Sequence, residues 1–235
     1  MSAPTGKAAL SADVPRIAPW AARLTGAAVS GSLYAVAAPH RAAAAASLAE
    51  EQMAVHVDAI ITAAGEHRGV TPTELRMVRR KLPSARVEVH LIVDGGAADL
   101  GERARGAVDV VIAAAIETRV DLVVLPTALH RDPASARVAL RAAGIAVWSE
   151  VAPADRPIVD RAADGALVML IAPGSDDGAD PALVSRVAEL SPRMPVGVDG
   201  GVTPELAERC IAAGATTIVA GRALFVSAHP GEGEL

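Results

Sequence analysis

Eight short runs rich in Val, Ile and Leu recur along the chain, at residues 29–36, 54–60, 87–93, 121–126, 145–150, 166–171, 195–199 and 216–220. Stretches of Ala/Arg/Glu-rich, helix-forming composition separate them from about residue 29 to the end. A strand covered on both faces must be apolar throughout, and a parallel partner can only be reached by a crossover, so this alternation reads as parallel strands joined by helices. Eight such units are the number that closes a parallel sheet on itself.

Helix starts support the same reading. Thr71-Pro72, Asp132-Pro133, Asp180-Pro181 and Thr203-Pro204 each place a capping side chain before a proline. The cap accepts a free backbone N–H, and the proline gives up a donor that had no partner. Gly144 and Gly214 each stand just before a strand, where a left-handed residue ends the preceding helix. The Ala-rich segment 41–53 reads as the first barrel helix. The expected architecture is α/β, a (β/α)8 TIM barrel in one domain over residues 29–235, after an N-terminal extension over residues 1–28. That extension reads as a mobile tail leading into a short helix near Trp20 that covers the bottom of the barrel. A length of 235 residues suits one such barrel and buries a large core unaided.

Composition narrows the partners. Trp20, Tyr34, Trp148 and Phe225 are the only aromatics, which argues against stacking platforms for bases or flavins. A net charge of -5 with scattered arginines is no footprint for a nucleic-acid backbone. Apolar runs are broken by charges well short of a bilayer span, so no membrane partner is expected. The single Cys210, in a helical pattern, reads as a small core residue of a cytoplasmic protein. Exposed apolar helix faces leave homo-oligomerisation open.

Alternate residues of a strand share a face, so His56 and Asp58 point the same way. His90 lies within an apolar strand, and Asp199 ends another at the C-terminal edge, where barrels place catalytic groups. Taken singly, a strand histidine is ordinarily a hydrogen-bonded core residue and an Asp before Gly-Gly a turn former. Two imidazoles and two carboxylates buried in one mouth without a cation would be costly, which favours the joint reading. Two nitrogen and two oxygen donors suit one divalent cation, Zn2+ first, with Fe2+, Mn2+ and Co2+ as competitors. Gly200-Gly201 and Ala220-Gly221-Arg222 follow the last two strands, the recurrent phosphate position of these barrels, though tight-turn glycine accounts for them equally well.

The stretch from Val196-Gly197-Val198-Asp199-Gly200-Gly201 to Thr203-Pro204-Glu205, continued by Ala212-Ala213-Gly214-Ala215 and Val219-Ala220-Gly221-Arg222, resembles the C-terminal signature of ribulose-phosphate 3-epimerases. His56-Val57-Asp58 and Val89-His90-Leu91 are similar to that family's other metal-ligand motifs. The resemblance implies that His56, Asp58, His90 and Asp199 hold the metal. It also implies that Asp58 and Asp199 are the acid and base of a two-sided proton transfer through an enediolate, between D-ribulose 5-phosphate and D-xylulose 5-phosphate. Ser32, His90, Met169, Gly174, Gly200, Gly201, Gly221 and Arg222 are then the residues expected at the sugar phosphate. Ile60-Ile61-Thr62 stands where the family has Met-Asp-Gly, residues 173–178 replace a Gly-rich, Phe-containing lid, and Arg222 replaces a serine.

The competing readings are an epimerase of another ketose phosphate, such as a hexulose 6-phosphate, and a sugar-phosphate-binding barrel without turnover. A Schiff-base aldolase needs a pocket lysine, and the chain has only Lys7 and Lys81. His40, His67, His130 and His229 read as surface residues, and Arg79-Arg80-Lys81 as a solvated helix end.

Overall fold

Strands β2 (Ala28–Ser32), β3 (Ala54–Ile61), β4 (Val87–Val93), β5 (Leu122–Leu125), β6 (Ala146–Val151), β7 (Gly165–Met169), β8 (Val196–Asp199) and β9 (Thr217–Ala220) pair in sequence order and close on themselves. All eight pairings are parallel, with β2 against β9 sealing the ring. The expected (β/α)8 barrel is therefore the fold of this chain. The computed structural model describes residues 15–97, 100–131, 136–172 and 178–226. The Asp132-Pro133 cap and Gly174 lie outside the described residues.

Helices α1 (Arg41–Glu50), α2 (Pro72–Lys81), α3 (Glu102–Thr118), α4 (Thr127–Arg131), α5 (Ala136–Ala142), α6 (Val184–Leu190) and α7 (Pro204–Ala212) cover the outside of the sheet. The caps form as their residue types require. The Thr71 hydroxyl accepts from the Glu74 N–H while Glu74 reaches back to the Thr71 N–H, a complete capping box. Thr203 accepts from Leu206 N–H, and Asp180 accepts from Ala182 N–H at a 3-10 turn. Gly144 and Gly214 both have positive φ, +79° and +102°, as helix-ending residues before β6 and β9.

Two apolar layers lie between sheet and helices. One gathers Leu48, Leu75, Val111 and Leu140 against β2 to β6. The other gathers Val187, Leu206 and Cys210 against β7 to β9. Burial of Cys210 pushes its thiol up to about 11, in keeping with a packing role.

The βα alternation breaks in three places. The first barrel strand stops at Ser32, because 33–35 turn into a 3-10 helix instead of extending to Val36. Arg41 fixes that turn, its Nε donating to the Leu33 and Val36 carbonyls. No helix joins β6 to β7, where Pro153 and Pro157 interrupt any helical hydrogen-bond ladder. Nor do residues 221–224 open a helix after β9. They form a turn leading to β10 (Phe225–Val226), which pairs antiparallel with β1 (Arg16–Ile17).

The N-terminal segment explains that last departure. Ala18 N–H donates to Leu224 O and Trp20 Nε1 to Ala223 O, so carbonyls that a helix would use are already bound. The segment then runs through the short 3-10 turn Ala21–Arg23 down the wall, with Trp20 and Leu24 packed on both apolar layers. Its described part thus runs from the carbonyls after β9 to the start of β2, and residues 1–14 of the expected tail lie outside the described residues.

Candidate metal and sugar-phosphate site

Inside the barrel the two walls differ in chemistry. Strands β2 to β4 send Ser30, Ser32, His56, Asp58, Glu88 and His90 inward, all buried. Leu122, Val124, Trp148, Leu167, Met169 and Val219 form a separate apolar cluster from the remaining strands. Gly197 lacks a side chain on that side because Leu167 and Trp148 fill the space.

The four residues expected to hold a cation meet. His56, Asp58, His90 and Asp199 each present a donor atom, and these all lie within 4.8 Å of one another. His56 Nε2 is 3.4 Å from Asp58 Oδ1 and 3.7 Å from Asp199 Oδ2. His90 Nδ1 is 3.6 Å from each of the same two oxygens. Four donors at about 2.1 Å from a shared tetrahedral centre would be about 3.4 Å apart, so the spacing fits a divalent cation. Both of those ring nitrogens are buried without a hydrogen-bond partner, as ligand atoms awaiting a cation would be.

The other oxygen of each aspartate is tied down. Ser32 Oγ donates to Asp58 Oδ2 at 2.6 Å, and the Gly200 N–H donates to Asp199 Oδ1 at 2.7 Å. That second bond engages an amide expected to serve the phosphate. Asp58 is held from behind as well. Val70 N–H donates to the Asp58 carbonyl, and Gly69 packs so closely on that carbonyl that a Cβ would overlap it. Arg41 Nη1 donates to the Gly69 carbonyl and to Glu74, stapling this loop to the first helices.

Charge follows geometry. Burial disfavours a charged His56, yet Asp58, Glu88 and Asp199 outweigh it and push its pKa up to about 10. His90 is likewise raised well above the ordinary value, burial being overcome by Asp199, Asp58 and Glu150. Asp58 is lowered, since His56 and His90 outweigh its burial. Four carboxylates thus face the two imidazoles.

Above the cluster opens a cavity of about 640 Å³. Ser32, Asp58, Met169, Asp199, Gly200, Gly201, Gly221 and Arg222 line it, which brings together every expected substrate residue except His90, beneath it, and Gly174. Gly200 and Gly201 both have positive φ, +102° and +62°, so the turn after β8 requires glycine whatever it binds. Tyr34, Ile60, Ile92 and Ile171 also line the cavity and had no motif to mark them.

Sequence reasoning missed two buried acids. Glu88 accepts from Ser30 Oγ at 2.8 Å and lies 3.6 Å from His56 Nδ1. Glu150 lies 2.8 Å from His90 Nε2. A further correction concerns His130, which is fully buried and 3.0 Å from Asp160, not a surface residue; burial lowers its pKa although Asp160 opposes this. Arg79 is likewise tied, to the Pro83, Ala85 and Arg119 carbonyls and to Asp121, and is no solvated helix end.

No protein-family model matches the chain, and no curated protein matches it by sequence. Solved structures do. A mutant tryptophan synthase alpha-subunit from the hyperthermophile Pyrococcus furiosus is 16% identical with a TM-score of 0.58, over 84% of this chain and 88% of that one. Phosphoribosyl anthranilate isomerase from Thermus thermophilus is 19% identical with a TM-score of 0.56, over 83% and 88%. At such identities the likeness is one of fold. No helix among the described residues is long and apolar enough to cross a membrane.

Proposed function

We propose that this chain is a metal-dependent ketose-phosphate 3-epimerase that interconverts D-ribulose 5-phosphate and D-xylulose 5-phosphate. The observation that carries the reading is the pair Asp58 and Asp199, each with one oxygen anchored and the other facing both histidines at the floor of an open cavity. They sit on β3 and β8, on different sides of the lumen, so a planar carbon between them is flanked by two carboxylates.

In this reading one aspartate removes the proton beside the ketone from one face, and the other returns a proton to the opposite face. A bound divalent cation supplies Lewis-acid stabilisation of the enediolate charge. His56 and His90, fixed on rigid strands, hold that cation with the two aspartates. Ser32 keeps Asp58 oriented, and Met169 with Ile60 and Ile92 provides an apolar wall that limits water at the reacting carbon. The Gly201 and Gly221 backbone, with Arg222, takes the phosphate at the rim.

Proton NMR of D-ribulose 5-phosphate in deuterated water with zinc-loaded protein tests this. Deuterium at the third carbon together with xylulose 5-phosphate is the expected result. Protein with its metal confirmed and no exchange overturns the pentose assignment. The cavity of about 640 Å³ has room for a longer ketose, so a hexulose 6-phosphate is the next substrate in the same assay.

A further inference from the structure

The two ligand histidines use different nitrogens. His56 turns Nε2 toward the aspartate oxygens and Nδ1 toward Glu88, whereas His90 turns Nδ1 toward the aspartates and Nε2 toward Glu150. A neutral imidazole has one lone pair, and the proton on its other nitrogen decides which atom offers it. A carboxylate facing the far nitrogen holds the proton there and stops the ring from flipping.

We propose that Glu150 is a positioning residue that sets the tautomer of His90, so that its Nδ1 faces a bound divalent cation, while Glu88, 3.6 Å from His56 Nδ1 and not hydrogen-bonded to it, adds charge there without fixing a proton. The inference rests on the metal reading above. Neither glutamate is part of the four-donor cluster, and both are buried, which makes a merely solvating role untenable.

The two differ in how they are held. Glu88 is anchored from below: Ser30 donates to Oε2 and Arg86 Nη2 lies 3.0 Å from Oε1, leaving His56 Nδ1 at 3.6 Å. Glu150 makes the shorter contact, 2.8 Å, and reaches from β6 over β5 to His90 on β4. The register of β5 between them supplies Val124 opposite His90, which cannot substitute as an acceptor. Glu150 therefore fixes its histidine, whereas Glu88 does not.

The test compares the full-length protein with Glu150→Ala, Glu150→Gln and Glu88→Gln. Zinc affinity is read by competition with a chromophoric chelator, and ring-nitrogen shifts of 15N-labelled histidine report which atom binds zinc. Loss of such a partner is expected to weaken affinity by about 10- to 100-fold in Glu150→Ala. Glu150→Gln keeps an acceptor without the charge and should fall between that variant and wild type, and Glu88→Gln should lose least. The His90 shifts should change in Glu150→Ala while those of His56 stay.

A purely structural role would make affinity follow the melting temperature instead of this order, with tautomers unaltered. Wild-type affinity and shifts in Glu150→Ala overturn the positioning role alone. Should that variant not fold, Glu150→Gln with wild-type affinity and shifts does so. A wild-type protein that binds no zinc, by stoichiometry and by absence of any shift, overturns the metal reading and this inference together.

Discussion

The lumen of this barrel has a polar wall and an apolar one, built from the same kind of strand. On β2 to β4 the inward positions carry Ser, His, Asp and Glu, with Ser32 bonded to Asp58, Ser30 to Glu88, and the two histidines within 3.4–3.6 Å of Asp58. On β5, β7 and β9 the equivalent positions carry Leu, Val and Met, packed around Trp148. Strands β6 and β8 belong to both, with Trp148 or Gly197 below and Glu150 or Asp199 above. Apolar packing there sets the shape against which the polar wall is held, so structure and chemistry divide by wall as well as by height in the barrel.

Under the proposed epimerase function, Asp58→Asn or Asp199→Asn should lower the rate by about 10²- to 10⁴-fold, measured by the NMR exchange assay, with the circular dichroism spectrum unchanged. Equal losses in both variants would fit a two-sided transfer, and a loss in one alone would break it. Trp148→Ala makes the converse case. Removing this buried ring should cost about 3–5 kcal/mol in urea denaturation, yet leave zinc stoichiometry at the wild-type value.

The next contrast is in pH. His56 is raised to about 10 in the folded protein, so without a cation its contribution to stability is full below about 6.5 and lost as pH climbs toward 10. His90 adds to that loss, since it too is raised. Asp58 and Glu88 are lowered, so their contribution is present above the ordinary carboxylate range and lost in acid. Denaturation midpoints of metal-free protein should therefore decline on both sides of a maximum between about pH 4.5 and 6.5. Zinc should flatten the alkaline decline, because the bound histidines are neutral. A metal-free profile flat from pH 6.5 to 10 would contradict the facing of the two histidines toward carboxylates.

Outside the barrel, like chemistry should matter least. Arg76 and Glu117 form a surface pair at 2.8 Å, with side chains 34% and 59% exposed, and Glu117→Gln should change stability by less than about 1 kcal/mol. A larger effect would show that charge pairing matters in this protein irrespective of place.

The parts that sequence reading recovered are those written in local periodicity. His56 and Asp58 share a face because they are two apart, and the eight apolar runs became the eight barrel strands. What it missed depends on partners far along the chain. Glu88 looks like an ordinary acid in a strand until Ser30, 58 residues away, and His56 are brought beside it. Glu150 acquires meaning only from His90, 60 residues distant, and His130 only from Asp160. The segment 33–36 has strand composition, and it turns where the Arg41 guanidinium, distant from it in the strand pattern, binds the Leu33 and Val36 carbonyls. Residues 221–224 have helical composition, and the N-terminal segment occupies the carbonyls they would need. The missing helix between β6 and β7 is different, since Pro153 and Pro157 were in plain view.

The order in which the four candidate cation donors occur along the chain bears on how the protein is made. His56, Asp58 and His90 lie on adjacent strands in the first half, whereas Asp199 comes on the penultimate barrel strand. During synthesis a growing polypeptide thus presents His56, Asp58 and His90 well before Asp199, and one of the two acids without the other. The fourth donor emerges just ahead of β9, the strand that seals the ring against β2. Completion of the proposed donor set and closure of the barrel consequently belong to the same late stage of biogenesis, and a chain cut short before residue 199 would have neither.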